Sequence, residues 1–158
     1  MTVEELNQYF DRLADQLNEG LQKDLPDLIG TEAVNFFKEG FLNEGFTDAS
    51  LEKWPDVKRR TGKNAGADAL RKILTGRTGN LHDSIRYDVE PDRVIVSANP
   101  MNAGADQNYA GAHNFGTSNA GRARNTVIPQ RKFLAHSQTL NKRIVERIER
   151  YLKNMMKL

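Results

Sequence analysis

Residues 74–98 read LTGRTGNLHDSIRYDVEPDRVIVSA, and this stretch decides the fold class. Leu81, Ile85, Tyr87 and Val89 stand apart among polar residues, and Val94 and Val96 alternate with Ile95 and Ser97. Alternation of this kind is the mark of strands with one face buried. Glu90-Pro91-Asp92-Arg93 lies between the two runs and has turn chemistry. The reading is an antiparallel hairpin, roughly residues 82–90 paired with 93–98. Gly76 and Gly79, just ahead of it, match neither GxGxxG nor GxxxxGK[ST] and follow a predicted helix instead of a strand. They are read as turn glycines supplying positive φ.

Helical patterns flank the hairpin. Val3, Leu6, Phe10, Leu13 and Leu17 recur at spacings of three and four, which predicts an amphipathic helix over residues 3–18. Thr2 and Glu5 can form its capping box, and Gly20 is its expected stop. A second helix is predicted over 27–43, with Ile29, Ala33, Phe36, Phe37 and Phe41 facing a core. Residues 45–66 read as a loop, with Trp54 either its anchor to the core, the preferred reading, or a binding platform. A short helix is expected over 67–74, a loop over 99–107 and another short helix over 108–115. Residues 117–126 form a polar, basic, glycine-containing excursion, and Val127-Ile128-Pro129 an extended piece. Leu140, Ile144, Ile148, Tyr151 and Leu152 mark a terminal amphipathic helix. The fold class is therefore α+β: long N- and C-terminal helices packed on a small, mostly antiparallel sheet, with a mobile basic loop. The 158 residues suit one domain, with mobile loops at approximately 45–66 and 117–126.

Composition narrows the function. There is no cysteine, which rules out disulfides and thiolate metal sites and fits a reducing cytoplasm. The opening MTVEELNQYF lacks the continuous apolar run of a signal peptide, and no stretch approaches the ~20 apolar residues of a membrane span. The net charge of +2 is unevenly distributed. Residues 1–50 hold three cations and eleven acids, whereas residues 117–158 hold ten cations and two acids. Two readings stand: solvated helix faces, or opposite sides that attract copies of the chain head to tail.

No catalytic, metal or cofactor constellation emerges. His82, His113 and His136 lack metal-ligand spacing. His113, beside the excursion, has only Asp106, Thr117 and Ser118 nearby and nothing that fixes them together, so a packed or interface role is expected. Arg122, Arg124, Arg131 and Lys132, with the cations of the last helix, form a footprint suited to phosphate. No aromatic interleaves them within 117–126, which leaves a small non-specific nucleic-acid-binding domain as the alternative function.

Three segments together resemble a known family. They are Thr78-Gly79-Asn80-Leu81-His82-Asp83-Ser84-Ile85, then Tyr109-Ala110-Gly111-Ala112-His113-Asn114-Phe115-Gly116-Thr117, then Ile128-Pro129-Gln130-Arg131-Lys132-Phe133-Leu134. Their order and spacing are similar to the "TGxLxxSI", "YAxxHxFGT" and "IPxRxFL" segments of tailed-phage virion morphogenesis proteins, also called tail completion or neck proteins. The likeness spans about residues 70–152. Lys132 stands where that pattern has proline, which bears on the rigidity of the turn. The resemblance implies a structural, non-enzymatic phage or prophage protein of the virion neck or tail, assembled in the host bacterial cytoplasm. It implies a ring of subunits, six where the tail axis is sixfold. Its partners would be itself and neck, portal-adaptor or tail-tube proteins, with non-specific contact to packaged DNA and no membrane or small-molecule substrate. On this reading Tyr109, His113, Phe115, Phe133 and Leu134 serve a subunit or partner interface, with an intrachain core role the preferred alternative for Phe133 and Leu134. Arg122, Arg124, Arg131 and Lys132 face a partner or DNA.

Overall fold

The computed structural model describes residues 2–61, 66–100 and 109–156. Helix α1 (Val3–Glu19) starts on the predicted capping box: Glu5 N donates to Thr2 Oγ1 at 3.2 Å, and Thr2 N donates to Glu5 Oε2 at 2.7 Å. Gly20 does not stop it. The backbone stays helical through one wider turn (Gly20–Asp24) and continues as α2 (Leu25–Asn43). Pro26 explains the wide turn, because it has no N–H to continue the ordinary ladder. Leu25 N donates instead to Gly20 O, five residues back. Gly20 serves close approach: a Cβ there would stand 2.4 Å from Tyr151 Oη on the last helix.

Helix α2 is the spine of the core. Leu25, Ala33, Phe36, Phe37 and Phe41 are buried along it, and Ile29 is half-buried. Glu44 ends the helix in a left-handed conformation (φ 51°). Strands β1 (Gly45–Thr47) and β2 (Leu51–Lys53) pair across the segment expected to be a loop, and α3 (Lys58–Thr61) follows. A single 3₁₀ turn (Ala67–Leu70) replaces the short helix expected over 67–74.

The predicted central hairpin is β3 (Ile85–Glu90) with β4 (Arg93–Ala98), in the register Ile85↔Ala98 to Glu90↔Arg93. It starts at Ile85 because α4 (Asn80–Asp83) winds the preceding residues into a helical turn, entered through Gly79 at φ 69°. Both strands lie on α2, with the Tyr87 ring over Gly30. Helix α5 (Ala110–Phe115) leads into β5 (Thr117–Ala120) and β6 (Thr126–Ile128). The basic segment is thus a hairpin with a Gly121 turn (φ 78°), not an irregular excursion. Helix α6 (Gln138–Met155) is capped by Ser137, whose Oγ accepts from Leu140 N at 3.1 Å. The loop expected over 99–107 falls almost wholly outside the described residues.

The architecture is α+β, with long N- and C-terminal helices. Its strands, among the described residues, form three separate two-stranded antiparallel hairpins and not one sheet. Helix α6 packs on α2 partly through charge. Arg143 reaches Glu39 at 2.9 Å and Arg147 reaches Glu32 at 3.0 Å. Some of the acidic-to-basic asymmetry is therefore satisfied inside the chain.

Candidate functional site

The second and third of the segments singled out in the sequence form one construction, a clasp that carries the basic hairpin. Helix α5 turns out at Gly116 (φ 74°), where a Cβ would lie 2.9 Å from Gln130 N, so the two arms of the hairpin close at their base. Asn114, buried, fastens the returning arm. Its Oδ1 accepts from Phe133 N at 2.8 Å and Leu134 N at 3.0 Å, and its Nδ2 donates to Leu134 O at 3.0 Å. Gln130 Nε2 donates to Asn114 O at 3.1 Å, and Arg131 N to His113 O at 2.8 Å. A buried asparagine that satisfies three backbone groups this way holds a non-regular segment in one conformation. The sequence offered one sign of it: a polar residue between His113 and Phe115 in a segment that otherwise packs.

The nine predicted site residues separate into an inner and an outer set. Phe133 is 2% exposed and its ring centroid lies 5.7 Å from that of Phe41. Arg131 is buried and donates to Pro55 O and Asp56 O, both at 2.9 Å. Burial, then the nearby Arg59, lowers its pKa from the usual guanidinium range, partly offset by Asp56. Leu134 and Tyr109 are half-buried against the core. Lys132 lies over the Phe46 ring at 4.7 Å and 3.8 Å from Glu52. Its carbonyl accepts from Trp54 Nε1 at 2.7 Å, so the place where proline was expected is held by hydrogen bonding. Trp54 is the anchor the sequence suggested, buried edge-on to Phe41. The outer set is Phe115, 74% exposed, with Arg122 and Arg124 on the hairpin.

His113 stands between the sets, half-buried, with Tyr109 edge-on at 5.9 Å. Burial, then Arg131, depresses its pKa below the ordinary 6.5. Its Nδ1 has no hydrogen-bond partner among the described residues. Asp106, the acid nearest in sequence, lies outside them. Three arginines organise the loop behind the clasp, and two of them, Arg59 and Arg60, are not singled out by the sequence. Arg59 donates to the carbonyls of Asp68, Arg71 and Lys72, and Arg60 pairs with Glu44 and Asp56. Glu44 also accepts from Ile73 N at 2.7 Å, and the hydrogen bond from Arg60 holds its carboxyl below the usual range. Arg131 completes the trio. Among the described residues, no group of histidine and carboxylate side chains is placed to hold a metal ion, and no helix is long and apolar enough to cross a membrane.

A rigid clasp presenting a short, exposed, cationic hairpin suits docking. Searches of curated proteins and of solved structures found no significant match. A family model does match, over residues 2–153, nearly the whole chain and every element described above but the last two residues of α6. The chain belongs to the phage virion morphogenesis family and is a protein of phage virion assembly.

Proposed function

We propose that this protein completes the virion by ring oligomerisation at the neck or tail terminus, joining tail to head or closing the tail tube, and that it transforms no substrate. The observation that carries this reading is the clasp: Asn114, Gly116 and Trp54 fix the base of a hairpin whose Arg122, Arg124 and Val127 are exposed, beside the exposed Phe115 at the end of α5. Phe115 and Val127 are 74% and 68% exposed, large apolar surfaces that a partner would bury. A ring needs heterologous contacts, in which one face meets a different face of the next copy. The acidic first helix and the basic last helix supply such faces, with charge guiding encounter and register and apolar anchors holding the contact. The hairpin, polar and free of a core of its own, is mobile in the free subunit and orders against a neighbour.

The test is electron microscopy of particles made without this protein. Full heads beside unjoined tails, or tail tubes of uncontrolled length, are expected. Infectious particles of normal appearance would refute the reading. A second reading, non-specific DNA binding, is favoured by Arg122 and Arg124, which are exposed and form no ion pair among the described residues. It requires DNA binding that weakens steeply with salt and disappears when Arg122, Arg124 and Lys132 are neutralised together, with the buried Arg131 left in place.

A further inference from the structure

We propose that helix α1 of one subunit lies in the apolar groove between α2, β4 and α6 of the next, so that each copy donates a helix and receives one. This rests on the ring reading above and names its contact.

Helix α1 has an apolar face that its own chain, among the described residues, covers only toward the C-terminal end, where Leu13 and Leu17 are half-buried. None of its residues is buried: Val3 is 75% exposed, Phe10 56% and Leu6 40%. Such a helix gains its stability from packing that face. The groove is its complement. Two cavities, about 410 and 380 Å³, share Ile29 and Val94 and so run together along α2. Leu25, Ala33, Val96 and Ile144 are among the other apolar residues that line them, and the β3–β4 turn closes the second with Glu90, Asp92 and Arg93, the arginine pairing with both acids. Seventeen residues make α1 about 25 Å long, and the helical wall from Leu21, in the wide turn, to Phe37 on α2 runs for about 24 Å.

The subunit's own α1 does not reach this groove. The backbone is helical through Gly20 and Asp24, so α1 runs on from the start of α2 instead of folding back along it. Charge then selects the donor and the receiver. Helix α1 carries five acids and one arginine, and Glu4, Asp11 and Asp15 form no ion pair among the described residues. Two such helices repel each other. Helix α6, one wall of the groove, carries five cations and two acids, and Lys142, Arg150 and Lys153 are likewise unpaired among the described residues. A donor face meeting a different receiver face is a head-to-tail contact, the kind that builds a ring when the rotation between copies closes.

The absence of native cysteine makes a direct test possible. Phe10→Cys and Ile29→Cys mark the middles of helix and groove, so they meet whichever way the helix runs. Under mild oxidation the double variant should give a ladder of dimers, trimers and higher species on a non-reducing gel, while each single variant stays monomeric. Dimers from Phe10→Cys alone would mean that α1 pairs with α1 and would overturn the proposal. Phe10→Asp, at a position that supports no core, should keep the thermal midpoint and weaken self-association at least tenfold, as loss of a buried aromatic anchor does. If Phe10→Asp assembles like the wild type, the groove assignment falls and the ring stands. If the wild type remains monomeric at its highest soluble concentration and the double variant gives no ladder, both fall.

Discussion

Asn114 is the residue on which the clasp depends. Asn114→Ala leaves the Phe133 and Leu134 amides without their acceptor in the interior and should lower stability by about 2–4 kcal/mol, read by urea denaturation. Asn114→Asp keeps the acceptors but loses the donor to Leu134 O and should also be destabilised. His113 gives the molecule an acid sensitivity. Burial depresses its pKa, so the folded chain resists protonation that the unfolded chain accepts. The contribution of the neutral ring is complete above the unfolded value near 6.5 and is lost as pH falls below it. Thermal midpoints taken from about pH 7.5 down to about pH 5 should drop more steeply in the wild type than in His113→Gln. Equal slopes would mean that His113 titrates normally. Little of this was legible beforehand. The lack of any fixed polar partner points in the sequence to a packed or interfacial His113, but Asn114 does its work through backbone groups some twenty positions away, which periodicity does not report.

At the scale of elements, the hairpin β3–β4 seats on α2 through the contact of Tyr87 with Gly30. Gly30→Ala would gain about 1 kcal/mol in helix propensity, yet its Cβ would fall 2.2 Å from the Tyr87 ring. The net effect should be a loss of about 1–3 kcal/mol, as overpacking gives. Gly111→Ala in α5 meets open space and should be neutral or mildly stabilising by comparison. Limited trypsin digestion should cut first at Arg122 or Arg124, because both lie on an exposed hairpin held only at its base. The two amphipathic helices and the central hairpin were readable because they bury one face at a regular spacing. The basic hairpin was not, since β5 and β6 lack alternation and are paired by the clasp beneath them. Gly20 misled for a related reason: the sequence shows a helix breaker, whereas the fold uses its missing side chain to let Tyr151 approach.

For the whole molecule, the uneven charge has two outlets. Glu32 and Glu39 meet Arg147 and Arg143 within the chain, tying α2 to α6. Glu4, Asp11 and Asp15 of α1 and Lys142, Arg150 and Lys153 of α6 form no ion pair among the described residues, and they are the part available for assembly. Family membership sets the biological frame, virion assembly, and the surfaces supply the physical means. The central claim is that copies of this chain dock head to tail into a closed ring. Sedimentation of the purified protein over a wide concentration range tests it most directly. A single species of fixed subunit number, forming more slowly at high salt, is the predicted result. A monomer at every concentration that also joins neither purified heads nor purified tails would contradict it.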